Sequence, residues 1–295
     1  MKIKSVTTGC MVFKSRELGF FAFEPLDKPQ TTSINVLVGA RWHTYDTQPP
    51  WPAIGMAGAK YPNSADWVIV ANSADGDLWE VNPGNPTGQR LLRISGDYSN
   101  LTKLASIDHA VWACGMDRLV LRREEDGRWT NCSAPPASVS EGIIGFTAIA
   151  GVEPQTLVAV GWQGEIWFRS GDQWQRQDCG SNANFNAVSV GPDGQIVVVG
   201  DGGAIVVGRR DQWRIVDIDT TFNLQGVCHF GEEVFVCTDF EIYRFTGDAL
   251  LAETRFETDD EPKTCMNLLA GPETVLSQGE TDIFRFVQGK WARVY

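Results

Sequence analysis

Residues 185–217, FNAVSVGPDGQIVVVGDGGAIVVGRRDQWRIVD, alternate runs of valine and isoleucine with breaks rich in glycine and aspartate. Short β-branched runs read as strands, and Gly and Asp accept the backbone angles that tight turns demand. The segment predicts a meander of four strands, near 186–191, 195–200, 204–208 and 213–218. The same alternation continues to the end of the chain, through MNLLAG, TVLSQG, DIFRFV and WARVY. No stretch of helical length carries the apolar period of an amphipathic helix.

The meander repeats, and a large side chain marks each repeat. EDGRW, GDQW, RDQW and QGKW place Trp129, Trp174, Trp213 and Trp291 in one slot just after a turn. GDAL puts Leu250 in that slot, and GQRL and GARW add Leu91 and Trp42. The seven slots lie 37 to 45 residues apart, apart from one gap of 49. A period near ~40 suits propeller blades and some helical repeats, and the strand-rich segments between slots decide for the propeller. The expected fold is all-β: a seven-bladed β-propeller with four antiparallel strands per blade, in one domain over 1–295. The blades fall at about 1–50, 51–97, 98–141, 142–183, 184–222, 223–262 and 263–295. The last blade ends on its outer strand and the first begins on its inner strand near Ile3. The ring is therefore expected to close by packing, without a shared strand. The slot lies at the hairpin before the fourth strand, and its side chains are read as structural wedges between blades. A Trp there buries on the order of 200 Å².

The slot motif resembles a degenerate BNR or Asp-box repeat, S-x-D-x-G-x-x-W. GWQGEIWFRSGDQW and GDGGAIVVGRRDQW are similar to the propellers of photosystem II assembly factors and their bacterial relatives. The resemblance spans blades 3 to 5 and 7 and implies the fold. It implies little about function, because such propellers bind, hydrolyse or scaffold.

Composition narrows the function. A formal net charge of -12 argues against nucleic acid, whose binding needs Lys and Arg to displace counterions. No stretch approaches the roughly 20 apolar residues of a membrane span. The N-terminus lacks the apolar run of a signal peptide. Seven cysteines, with no C-x-x-C, sit mostly in apolar runs such as VWACG. They read as buried thiols in a reducing cytosol, so the expected location is cytoplasmic.

No catalytic residue, metal or cofactor is assigned. The three histidines, His43, His109 and His229, show no ligand spacing. The Asp75–Asp77 turn offers too few oxygens for calcium, and no helix follows GDGGA to cradle a phosphate.

Charge distribution is more informative. In a propeller, the connections between blades share one face with the turns between second and third strands. That face collects nineteen acids against Lys28, Arg118, Arg255 and Lys263. It also receives the longest insertions and interleaved aromatics. The expected partner site comprises Asp97, Tyr98, Trp162, Asp201, Asp219 and Phe222, together with Asp239, Glu257, Asp259, Asp260 and Glu261. Such a surface steers a basic protein partner. The expected function is non-catalytic protein binding by a toxin-neutralising immunity protein or an assembly chaperone. The alternative is a BNR-type glycan-binding protein or glycoside hydrolase or lyase that uses the central pocket. An open polar funnel with two or more convergent ionisable groups would favour that alternative.

Overall fold

Seven antiparallel sheets of four strands follow one another along the chain. The computed structural model describes residues 3–13, 17–94, 98–138, 140, 142–153, 155–210 and 212–295. In the fifth sheet the strands are Phe185–Val190, Ile196–Gly200, Ile205–Arg209 and Gln212–Val216, within about two residues of the expected bounds. The second strand of this blade is buried throughout, because it has a strand on either side and a neighbouring blade on each face. That is why it reads as an unbroken IVVVG rather than as an alternating pattern.

The ring closes between two complete sheets. Blade 1 runs from Ile3–Phe13 at the channel to Arg41–Thr44 at the rim, and blade 7 from Asn267–Ala270 to Lys290–Arg293. Val6, Phe21, Phe23 and Leu37 of blade 1 pack with Leu276 and Ile283 of blade 7. The Val6 N–H donates to the Glu280 carbonyl at 2.8 Å, and the Glu17 carboxylate accepts the Glu273 and Thr274 N–H groups at 2.7 and 3.2 Å. A non-polar seam sealed by a few polar bonds at its ends thus replaces strand exchange.

The rim tryptophans sit in the seams between blades. The Trp174 Nε1–H donates to the Cys132 carbonyl of blade 3 at 2.7 Å, and that of Trp42 to the Val294 carbonyl of blade 7 at 3.0 Å. Trp213 lies 6.2 Å from Phe168 of blade 4, and fully buried Trp291 stands edge-on to Phe235 of blade 6 at 5.5 Å. Trp129 and Leu250 pack against the neighbouring cores. Leu91 departs from this pattern: it is 48% exposed. The blade 2 hairpin turns at Asn82–Asn85, where a bulge interrupts the register, so Leu91 lies well beyond the turn and opposite Trp79. Trp79, from the third strand, is the buried aromatic here, and it meets Tyr45 of blade 1 at 5.4 Å.

Candidate partner-binding face

Connections between blades and the turns between second and third strands form one face of the ring, here termed the loop face. The other two sets of turns form the hairpin face. The large apolar side chains left exposed on turns and connections, Leu26, Ile143, Trp162, Phe222, Phe240 and Met266, all belong to the loop face. Among the described residues no exposed large apolar side chain sits on a hairpin-face turn.

Backbone geometry explains how these side chains are presented. In blades 4 and 5 the sequences GWQG and GDGG make a single left-handed turn, with φ of +57° at Gln163, +72° at Gly164, +64° at Gly202 and +77° at Gly203. A Cβ at Gly164 would stand 1.8 Å from the Ser181 carbonyl oxygen, and one at Gly203 would stand 2.3 Å from that of Thr220. Only glycine fits so close to the next connection. Asn184 and Asn223, one connection further on, accept the N–H groups of Gln163 and Gly202 at 3.1 and 3.0 Å. The turn is clamped at both ends, and Trp162 is left 37% exposed.

The sequence-predicted acids divide into two kinds. Glu165 is buried and takes a forked bond from buried Arg118, with contacts of 2.6 to 3.1 Å, while Arg118 lies 4.8 Å over the Trp167 ring. Asp282 is buried and accepts the Lys263 N–H at 2.8 Å. Asp201 accepts from Asn186 and Asn184, and Asp239 from Gln225. Asp260 is exposed but paired with Arg293 at 2.6 Å, whose hydrogen bonds hold its carboxyl below the usual aspartate value. These groups fasten loops, and Asp201, Asp239 and Asp260 of the expected partner site are among them.

Asp219, Glu257, Asp259 and Glu261 are of the second kind. They are exposed, and no cation pairs with their side chains among the described residues. Phe222 is 63% exposed beside Asp219, whereas Tyr98 is half-buried against the core of blades 2 and 3. Asp97 lies outside the described residues. Of the expected cations, Arg118 and Arg255 are held in ion pairs, Arg255 by Glu253 at 2.8 Å and Glu233 at 2.9 Å. Lys28 and Lys263 remain exposed.

Between blades 5 and 6 the loop face sinks into a groove of about 420 Å³. Asp217, Asp219, Phe222, Tyr243 and Asp248 line it. The Tyr243 hydroxyl donates to Glu241, and burial together with this bond pushes its pKa up to about 12. Carboxylates beside aromatic faces suit an arginine or lysine side chain, through ion pairing and cation–π attraction. Sequence reasoning missed Ile143, Phe240, Asp217 and Tyr243. Phe240 carried a signal, since it sits mid-turn in TDFEI, where nothing can bury it.

The central channel offers different chemistry. A cavity of about 260 Å³ is lined by the inner strands, with Met56, Leu104, Ala148, Val188 and Leu268 among its walls. Lys103 is the one charged residue among its described lining residues; its ammonium lies 3.5 Å from Asn267 Oδ1, and burial pushes its pKa down. Among the described residues neither a carboxylate nor a histidine lines the cavity, so these residues supply no convergent acid pair of the kind glycoside processing uses. Nearby, Ser189 Oγ and His229 Nδ1 stand 2.9 Å apart on neighbouring inner strands, with the other ring nitrogen buried. Ser189 Oγ also accepts the His229 N–H at 3.0 Å, an interblade tie.

Architecture and surface together define a β-propeller, with exposed apolar and acidic groups gathered on one face. Solved structures agree on the fold. The WD40 β-propeller domain of Doa1 superposes with a TM-score of 0.69 at 13% identity, covering 96% of this chain and 92% of that one. The computationally designed Ika8 protein gives 0.63 at 14% identity, over 99% and 86%. No family model matches the chain. It is 34% identical over 259 residues to the immune protein Tsi7 of Pseudomonas aeruginosa, spanning 84% of this chain and 82% of that protein. The chain belongs to the family of Tsi7.

Proposed function

We propose that this chain is an immunity protein that binds and neutralises a basic protein toxin through its loop face. Membership of the Tsi7 family supports the immune role. The observation that carries the docking site is the placement of Phe222, Phe240, Trp162 and Ile143 on the face whose unpaired acids include Asp219, Glu257 and Asp259. Exposed aromatics supply anchors and the surrounding carboxylates supply steering and register. The groove between blades 5 and 6 receives a basic side chain of the toxin.

The setting is a bacterial cytoplasm, in keeping with seven free cysteines, six of them buried. Burial pushes the thiols of Cys114 and Cys228 to about 11 and about 12, which keeps them protonated and unreactive. The test is recovery of the partner from the source cell by pull-down with mass spectrometry, then its affinity for Asp219→Lys/Glu257→Lys/Asp259→Lys. The triple variant folds but loses the partner. Undiminished affinity would overturn the reading.

A further inference from the structure

In six of the seven blades a large apolar side chain from the outer strand or its hairpin enters the seam toward the preceding blade: Trp42, Trp129, Trp174, Trp213, Leu250 and Trp291. Blade 2 has no such side chain, because its outer strand begins with NPTGQ after the bulged turn. The seat remains. A groove of about 640 Å³ runs between blades 1 and 2, with Phe20, Val36 and Tyr45 as apolar walls and Pro83, Pro86 and Thr87 along the edge where a wedge would enter. Trp79 packs beneath it on Tyr45, so the seam is sealed below and open above. The groove reaches the loop face through Asp46 and Thr47, which begin the connection to blade 2. Asp46 is exposed at that end, and among the described residues neither lysine nor arginine lines the groove.

We infer that this groove receives a tryptophan or other aromatic side chain of the toxin, adjoining a basic residue that meets Asp46, and so completes in trans the one wedge the chain lacks. The occupant is defined by two features of the seat. Its aromatic walls, Phe20 and Tyr45, are of the kind that flank the indoles of Trp42, Trp174, Trp213 and Trp291, and among the described residues its only anion, Asp46, stands at the loop-face end. The inference rests on the reading that the loop face docks a toxin, but its first test does not need the toxin.

N-acetyl-L-tryptophanamide, titrated into the intact chain, binds saturably with a Kd on the order of 1 mM or tighter. Methyl resonances of Leu18, Val36 and Val38 shift with it, whereas N-acetyl-L-leucinamide moves them at least fivefold less at equal concentration. The Trp-Arg dipeptide amide binds more tightly than Trp-Glu, and Asp46→Asn removes that difference. Thr87→Trp fills the seat in cis, abolishes probe binding, raises the urea midpoint and weakens toxin binding at least tenfold. No saturable methyl shift, or equal shifts from the leucine probe, overturns the inference without any variant having to fold. Probe binding with unchanged toxin affinity of Thr87→Trp overturns it while leaving the loop-face reading intact. Weakened toxin binding by Thr87→Trp but not by the loop-face charge reversals sustains the inference and removes the loop-face reading.

Discussion

The two faces of the ring differ in what stands among their charges. On the hairpin face Asp126 pairs with Arg128 at 2.6 Å, Asp172 with Arg169 at 2.7 Å, Asp248 with Arg214 at 3.0 Å, and Asp193 with Arg209, while Asp108, Glu125, Glu232 and Glu273 are exposed without an ion pair among the described residues, and no large apolar side chain is exposed on a turn there. Exposed pairs of this kind contribute little stability, about 0 to 1 kcal/mol, but they cancel the local field. On the loop face Asp219, Glu257, Asp259 and Glu261 have no such partner among the described residues, and exposed apolar groups lie among them. A surface that only has to stay dissolved needs charge alone, whereas one that has to dock a basic protein sets apolar anchors among its unpaired acids.

The largest expected effect separates the two kinds of loop-face acid. Glu165→Ala removes the forked carboxylate from buried Arg118 and costs about 3 to 5 kcal/mol by urea denaturation. The triple reversal of Asp219, Glu257 and Asp259 leaves stability within about 1 kcal/mol and weakens toxin binding by roughly 100-fold in calorimetry, with the loss concentrated at low salt. The matching reversal of Asp126, Asp172 and Asp193 changes that affinity by less than about threefold. Phe222→Ala costs about 1 to 3 kcal/mol of binding, as a truncated interface anchor does, whereas Ile215→Ala on the outer strand of blade 5 changes it by less than about 0.5 kcal/mol.

The smallest effect is a pH dependence on the hairpin side. Burial holds the His229 imidazole below its ordinary value, and Asp193 opposes this only partly. The unfolded chain therefore binds a proton more readily than the fold, and stability declines as pH falls through the ordinary histidine range. Between about pH 7.5 and about pH 5.5 the urea midpoint of the wild type falls more steeply than that of His229→Gln.

Local signals carried much of this architecture. Strand runs and Gly/Asp turns are written within a few residues of one another, so the strands of blade 5 could be read from sequence, and connectivity then assigned each acid to a face. Contacts between blades could not be read in this way. Arg118 and Glu165 are 47 residues apart, and Ser189 and His229 are 40 apart, so nothing in either neighbourhood announces the pair. Leu91 misled for a related reason. GQRL looks like the slot motif, but the bulge in the blade 2 hairpin moves the turn to Asn82–Asn85, and a register shift is invisible to a motif. The same displacement leaves the seam between blades 1 and 2 open.

Hydrogen–deuterium exchange of the chain with and without its toxin tests the central claim most directly. The account predicts slowed exchange in the loop-face segments 217–225, 238–241 and 253–266, with the hairpin-face turns 124–128 and 191–195 unchanged. Protection of those hairpin-face turns, with the loop face unaffected, would contradict it.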